Sequence, residues 1–126
     1  MLTTRRFLNP RLLNNIRNYV VPNSFSYTET GEWIKKEGNT SYIGLTRDSL
    51  EQLSEIVYIE PLVDLEDLVE KNTELIAIES VKATATINSQ DDCLILEFNQ
   101  ELFDDLDTLN KNPEDVDNCW IVKTSP

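Results

Sequence analysis

The sequence predicts a mainly β domain of short antiparallel strands with two short helices, one of them close to the C-terminus. Three observations point there. From Tyr27 onward the apolar residues fall into short runs rich in Ile, Val and Tyr, separated by polar clusters. Gly38 and Pro61 punctuate those runs as turn and strand-end residues. The stretches after Thr46 and Asn99 repeat leucine at helical spacing behind a capping residue. At 126 residues with 40% hydrophobic content, the chain is long enough for one domain with its own core.

Residues 1–26 read differently from the rest. They hold Arg5, Arg6, Arg11 and Arg17, no Asp or Glu, and many hydroxyl and Asn side chains, the balance of an organellar transit peptide. Asn9 caps a helix with Pro10 at its first position, and Leu12, Leu13, Ile16, Tyr19 and Val20 share one face opposite Arg11 and Arg17. Pro22 to Ser26 then reads as a junction, so the expected organisation is an address over 1–26 and a folded domain over 27–126.

Within the domain, Trp33 and Ile34 lead into a hairpin that turns at Glu37 to Thr40 and leaves through Tyr42, Ile43 and Leu45. Thr46 caps a helix over RDSLEQLS, with Leu50 and Leu53 on one face. EIVYIEPL is an extended run that Pro61 closes, because proline cannot donate to a ladder. VDLEDLVEKNTE is open to a loop, a short strand pair or a helical turn, with loop and strand favoured, and ELIAIES, KATATI and CLILEFN read as three further strands. Asn99 caps a helix over QELFDDLDTLN, which aligns Leu102, Leu106 and Leu109 and turns Asp104, Asp105 and Asp107 to solvent. Those aspartates read as an acidic face and not as a metal site, since no turn-forming loop accompanies them.

Composition narrows the chemistry. With four arginines in residues 1–26, the rest of the chain sets seven bases against all 23 acids, a surface that repels nucleic acid and anionic membranes and suits partners with basic docking faces. No apolar run approaches the roughly 18 residues of a membrane-spanning helix. Histidine is absent, which removes the commonest general base and transition-metal ligand. Cys93 opens an apolar run and Cys119 precedes Trp120, so both read as buried structural thiols of a reducing compartment. With no Gly-rich phosphate loop and no nucleophile elbow, side-chain catalysis has little to work with and no catalytic residue is assigned.

One basic residue stands out. Leu75, Ile76 and Ile78 run in, Glu79 to Ala83 bend, and Thr84, Thr86 and Ile87 run out, which lifts Lys82 to a hairpin tip within reach of a modifying enzyme. On spacing alone it is an exposed lysine. Nothing nearby desolvates it or sets a second cation beside it, as Schiff-base chemistry requires.

ESVKA at 79–83 resembles the lipoyl-attachment sequence of the glycine cleavage system H protein family, and further matches follow in the same order. GEWI at 31–34 is similar to the family's opening His-Glu-Trp stretch, YIGLT at 42–46 to its Gly-Ile-Thr strand end, and EIVYIEP at 55–61 to its Asp-Ile-Val-Phe-Val-Glu run. Asn112-Pro113 and WIVK at 120–123 resemble its C-terminal Pro and Trp-Leu-Val-Lys. The resemblance implies a flattened β-barrel or sandwich of the lipoyl type. It implies lipoic acid in amide linkage to Lys82, with Glu79, Ser80, Val81 and Ala83 flanking the site, and a non-catalytic carrier role. That role is to take the aminomethyl group of glycine from a pyridoxal-phosphate glycine decarboxylase, present it to a folate-dependent aminomethyltransferase, and be reoxidised by a FAD-containing dihydrolipoyl dehydrogenase. A lipoate ligase or lipoyl transferase would install the group, in the mitochondrial matrix or a mitochondrion-derived organelle, on a carrier expected to be monomeric.

Other readings remain open. Biotin carriers flank their lysine with methionine, whereas Val81 and Ala83 stand here, and lipoyl domains of 2-oxoacid dehydrogenase acyltransferases carry Asp-Lys-Ala and lack the Glu32, Trp33 opening. An H-like lipoyl donor that no longer handles glycine-derived carbon, or an unmodified binding domain, would share the fold. The chain also departs from the family pattern. Gly31 stands for its histidine, Ser54, Asp64 and Asn72 for three glycines, and Gln90 and Cys93 for the Pro and Gly of the next turn. Asp64 and Asn72 are expected to preserve left-handed turns, and Cys93 to mark an altered one.

Overall fold

The computed structural model describes residues 23–126; the basic segment and its expected helix fall almost wholly outside the described residues. Strands β2 (Glu32–Glu37) and β3 (Thr40–Leu45) form the expected hairpin, paired from Glu32 with Leu45 to Glu37 with Thr40, and Gly38 turns it at φ 59°. A strand that the sequence reading placed in the junction, β1 (Ser24–Tyr27), pairs along the outer side of β2. Its Ser, aromatic, Ser, aromatic alternation is a strand period, hidden by the basic composition before it.

Thr46 caps α1 (Arg47–Leu53), its hydroxyl accepting from the Ser49 N–H at 3.2 Å, and the helix buries Leu50. It ends at Ser54 with φ 68° and ψ −157°, a conformation that belongs to glycine and costs other residues about 1–3 kcal/mol. Ser54→Gly is therefore expected to stabilise the fold by about 1 kcal/mol after the extra freedom of the unfolded glycine is deducted. A thermal melt checks this: the midpoint should rise by several degrees, and an unchanged midpoint would mean that no strain resides at this cap.

The remaining strands are β4 (Ile56–Pro61), β5 (Leu68–Val69), β6 (Glu74–Ser80), β7 (Thr84–Asn88), β8 (Cys93–Phe98) and β9 (Val122–Ser125). All pairings are antiparallel. One sheet runs β1-β2-β3-β9-β8-β5 and the other β4-β6-β7. A single apolar cluster joins them, with Ile43, Ile95 and Val122 from the larger sheet and Ile59, Ile78 and Ile87 from the smaller. The result is a flattened two-sheet sandwich, mainly β, of the type the resemblance implies.

Of three turn expectations, one holds and two are corrected. Asn72 takes a left-handed φ of 71°, as expected, but the left-handed residue of the preceding turn is Glu66 at φ 68° and not Asp64. That turn is closed by the Asp67 N–H donating to the Asp64 carbonyl at 3.2 Å, which makes Glu66 its third residue. The Asp67 carboxylate also accepts from the Asp64 N–H at 2.9 Å. Cys93 is the extended first residue of β8 and turns nothing. The connection before it is held instead by buried Ser89, whose hydroxyl donates to the Glu70 carbonyl at 2.7 Å, and by Asp92, which accepts from the Lys71 N–H at 2.8 Å.

The C-terminal helix is also interrupted, into α2 (Gln100–Phe103) and α3 (Leu106–Lys111), with Asp105 outside helical backbone at φ −139°, ψ 78°. Three close aspartates repel one another, and each prefers a cap to a helix interior. Leu102 and Leu109 are buried nonetheless. On α3, the Asn110 side chain pairs with both backbone groups of Ile56, at 2.8 and 3.0 Å, and so takes the place of a neighbouring strand at the start of β4.

Two glycines are fixed by their neighbours. A Cβ on Gly31, at φ 98°, would collide with the Ser49 hydroxyl, which donates to the Gly31 carbonyl at 2.8 Å. The position that the resemblance gives to histidine thus has no room for a side chain here. Opposite Gly44 lies Trp33, fully buried, its Nε1–H donating to the Pro113 carbonyl at 2.9 Å.

Candidate functional site

β6 and β7 pair from Glu74 with Asn88 up to Glu79 with Thr84, and Ser80 to Ala83 make the bend between them. Leu75, Ile76 and Ile78 anchor the incoming strand in the core and Ile87 the outgoing one, so the tip stands on a rigid base. Lys82 is exposed at this tip. Its side chain has no hydrogen bond or ion pair to another described residue, whereas Lys35 and Lys123 are held by Glu37 and Glu97 at 2.7 and 2.8 Å. Those partners raise both amines above the ordinary lysine range, the hydrogen bond being the larger cause in each. Lys71 also lies in a turn, but one that joins strands of different sheets and is tied to Asp92.

While the Lys82 side chain is free, its backbone is held. The Ser80 hydroxyl accepts from the N–H groups of Lys82 and Ala83 at 3.1 and 2.9 Å and donates to the Ala83 carbonyl at 2.9 Å. The Ser80 N–H reaches the same carbonyl at 2.8 Å, and the Val81 N–H donates to Glu55, just before β4, at 3.0 Å. Of the flanking residues named from sequence, Glu79, Val81 and Ala83 are exposed and Ser80 is half-buried.

The sequence reading missed two neighbours. β4 pairs with β6 through Ile56 with Ser80 and Tyr58 with Glu79, and the irregularity between those pairs turns both Val57 and Tyr58 outward, 48% and 50% exposed. With Val81, 65% exposed, they give the small sheet an apolar surface near the tip, bordered by the exposed carboxylates of Glu55, Glu60 and Glu79. The signal was the unbroken apolar triplet Ile56-Val57-Tyr58, which strict alternation cannot bury on one side.

Neither cysteine offers a reactive thiolate. Burial pushes the Cys119 thiol up to about 11, and burial is also the main cause of the upward shift at half-buried Cys93.

Residues 25–126 match the family model described as "Glycine cleavage H-protein". The chain belongs to the glycine cleavage H-protein family. Proteins of this family are non-catalytic carrier subunits that hold lipoic acid covalently on a lysine. Among curated H proteins, "Glycine cleavage system H protein 2, mitochondrial" of Arabidopsis thaliana is 32% identical to this chain, with 97% of the chain and 81% of that protein aligned. The mitochondrial H protein of Flaveria trinervia is 35% identical over 84% of the chain, which spans 62% of that protein's length. The crystal structure of a glycine cleavage system H protein from Mycobacterium marinum has the same fold. Its TM-score is 0.71 at 22% identity, over 84% of this chain and 86% of its own.

The tip geometry fits such a group. A long acyl substituent on the Lys82 amine would extend from an exposed position with small Ala83 on one side and Val81 on the other, displacing no hydrogen bond or ion pair among the described residues.

Proposed function

We propose that Lys82 is the lipoyl-attachment residue and that the chain is the lipoyl-bearing carrier of the glycine cleavage system. The observation that carries this reading is an exposed lysine whose backbone is fixed at a hairpin tip while its side chain is free, in a chain of the H-protein family. When bound, lipoic acid supplies a dithiolane at the end of a flexible arm, the redox and group-carrying chemistry that the side chains lack.

The chain's own residues deliver and orient. The β6–β7 base holds the attachment point away from the body, so the arm can enter one cleft after another. An acidic surface, with net charge −12 for the whole chain, speeds encounter with basic docking faces. Val57, Tyr58 and Val81 offer apolar area that a partner's rim can cover. The partners that follow from this reading are the pyridoxal-phosphate glycine decarboxylase, the folate-dependent aminomethyltransferase, the flavin dihydrolipoyl dehydrogenase and a lipoate ligase or lipoyl transferase. The aminomethyl group of glycine is the cargo, and a carrier that visits several clefts works as a monomer.

Both plant relatives are mitochondrial by name, which supports the mitochondrial matrix or a mitochondrion-derived organelle, with the basic segment ahead of β1 as the address. The test is exchange of labelled bicarbonate into glycine by lipoylated protein and glycine decarboxylase. Label in glycine is the expected result. No exchange from protein shown to be lipoylated would favour an H-like lipoyl donor not engaged in glycine decarboxylation.

A further inference from the structure

A two-residue hairpin connection is usually stabilised by positive φ at one or both central residues, which matches the turn to the twist of the strands. The Val81-Lys82 connection lacks this, because the described non-glycine residues with positive φ are Ser54, Glu66 and Asn72. It is held by a side chain instead. Ser80 Oγ collects the Lys82 and Ala83 N–H groups and returns its own proton to the Ala83 carbonyl, three contacts between 2.9 and 3.1 Å. With the Val81 N–H taken by Glu55, the N–H of every residue from Ser80 to Ala83 has an acceptor within the protein.

We infer that Ser80 is a positioning residue for acylation of Lys82: its hydroxyl holds the tip in the one conformation that a lipoylating enzyme docks. This rests on the reading of Lys82 as the attachment site. Acylation forms a C–N bond between Lys82 Nζ and the carboxyl carbon of an activated lipoyl donor, here an acyl adenylate. The C–O bond to the phosphate breaks, AMP leaves, and the amine's proton passes to solvent. Ser80 touches none of these atoms. It acts by keeping most molecules docking-competent, and when it is removed the apparent affinity for the enzyme falls by the fraction of tips that still hold the turn. Alanine at this position leaves two N–H groups to water at an exposed hairpin tip, which loosens the tip without touching the core.

The test uses the full chain, unlipoylated, with purified lipoate ligase, lipoate and ATP, and compares the native sequence with Ser80→Ala and Ser80→Thr. For Ser80→Ala the KM for the protein substrate is expected to rise about tenfold with kcat within about twofold, consistent with a competent fraction near one tenth. The melting temperature should stay unchanged, and amide exchange should speed up at Lys82 and Ala83. Threonine keeps a hydroxyl and should restore the native KM. An unchanged KM and exchange rate in Ser80→Ala would overturn the inference. So would a loss of lipoylation that tracks a lowered melting temperature and is not restored by threonine, since Ser80 would then act through stability alone. If the native chain itself takes no lipoyl group at Lys82, the attachment reading fails first, and the two failures are told apart.

Discussion

Lys82→Arg is expected to fold as the native chain does, to take up no lipoyl group, and to lose glycine–bicarbonate exchange completely. Arginine keeps the charge and length, but its delocalised guanidinium stays protonated and is no acyl acceptor. Because the native side chain is exposed and makes no hydrogen bond or ion pair to another described residue, replacing it disturbs little, and a stability change within about 0.5 kcal/mol is expected. The outcome thus separates chemistry from folding in one variant. Exchange that survived in Lys82→Arg would show that another group carries the cargo.

The largest effect on stability is expected from Gly44→Ala. Gly44 faces Trp33 across the β2–β3 hairpin, and a Cβ there would lie inside the contact distance of three indole atoms. The ring cannot withdraw cheaply, because it is fully buried and its Nε1–H holds the Pro113 carbonyl, a link between the hairpin and the C-terminal segment. Overpacking of this kind costs about 1–3 kcal/mol, and loss of the buried indole hydrogen bond adds to it. A fall of about 3 kcal/mol, or more than about ten degrees in melting midpoint, is expected for a domain of this size. In a Trp33→Phe background the smaller ring leaves room, so the same glycine substitution should cost clearly less. Equal costs in both backgrounds would refute the clash.

How much of this was legible from sequence follows from the range of the forces involved. The β2–β3 and β6–β7 hairpins, the Thr46 cap and the exposed Lys82 were readable because each depends on neighbours a few residues away. β1 was not, since its pairing with β2 competed with a composition that pointed to an address segment. The break at Asp104 and Asp105 was written in adjacent like charges, but leucine spacing outweighed it in the reading. The left-handed residue at Glu66 was missed because its turn is set by Asp64 and Asp67 on either side of it. At the tip, the lysine could be found by pattern, while the work of Ser80 and the outward turn of Val57 and Tyr58 depend on geometry. A serine at a strand end can close a turn or only face water, and the letters do not distinguish the two.

On the proposed reading, the reactive group is borrowed and Lys82 bears it. The most direct measurement is the mass of the peptide containing Lys82, taken from the protein isolated from its native source. The expected result is the increment of one lipoyl amide, localised by fragmentation to Lys82. An unmodified lysine in every copy would contradict it.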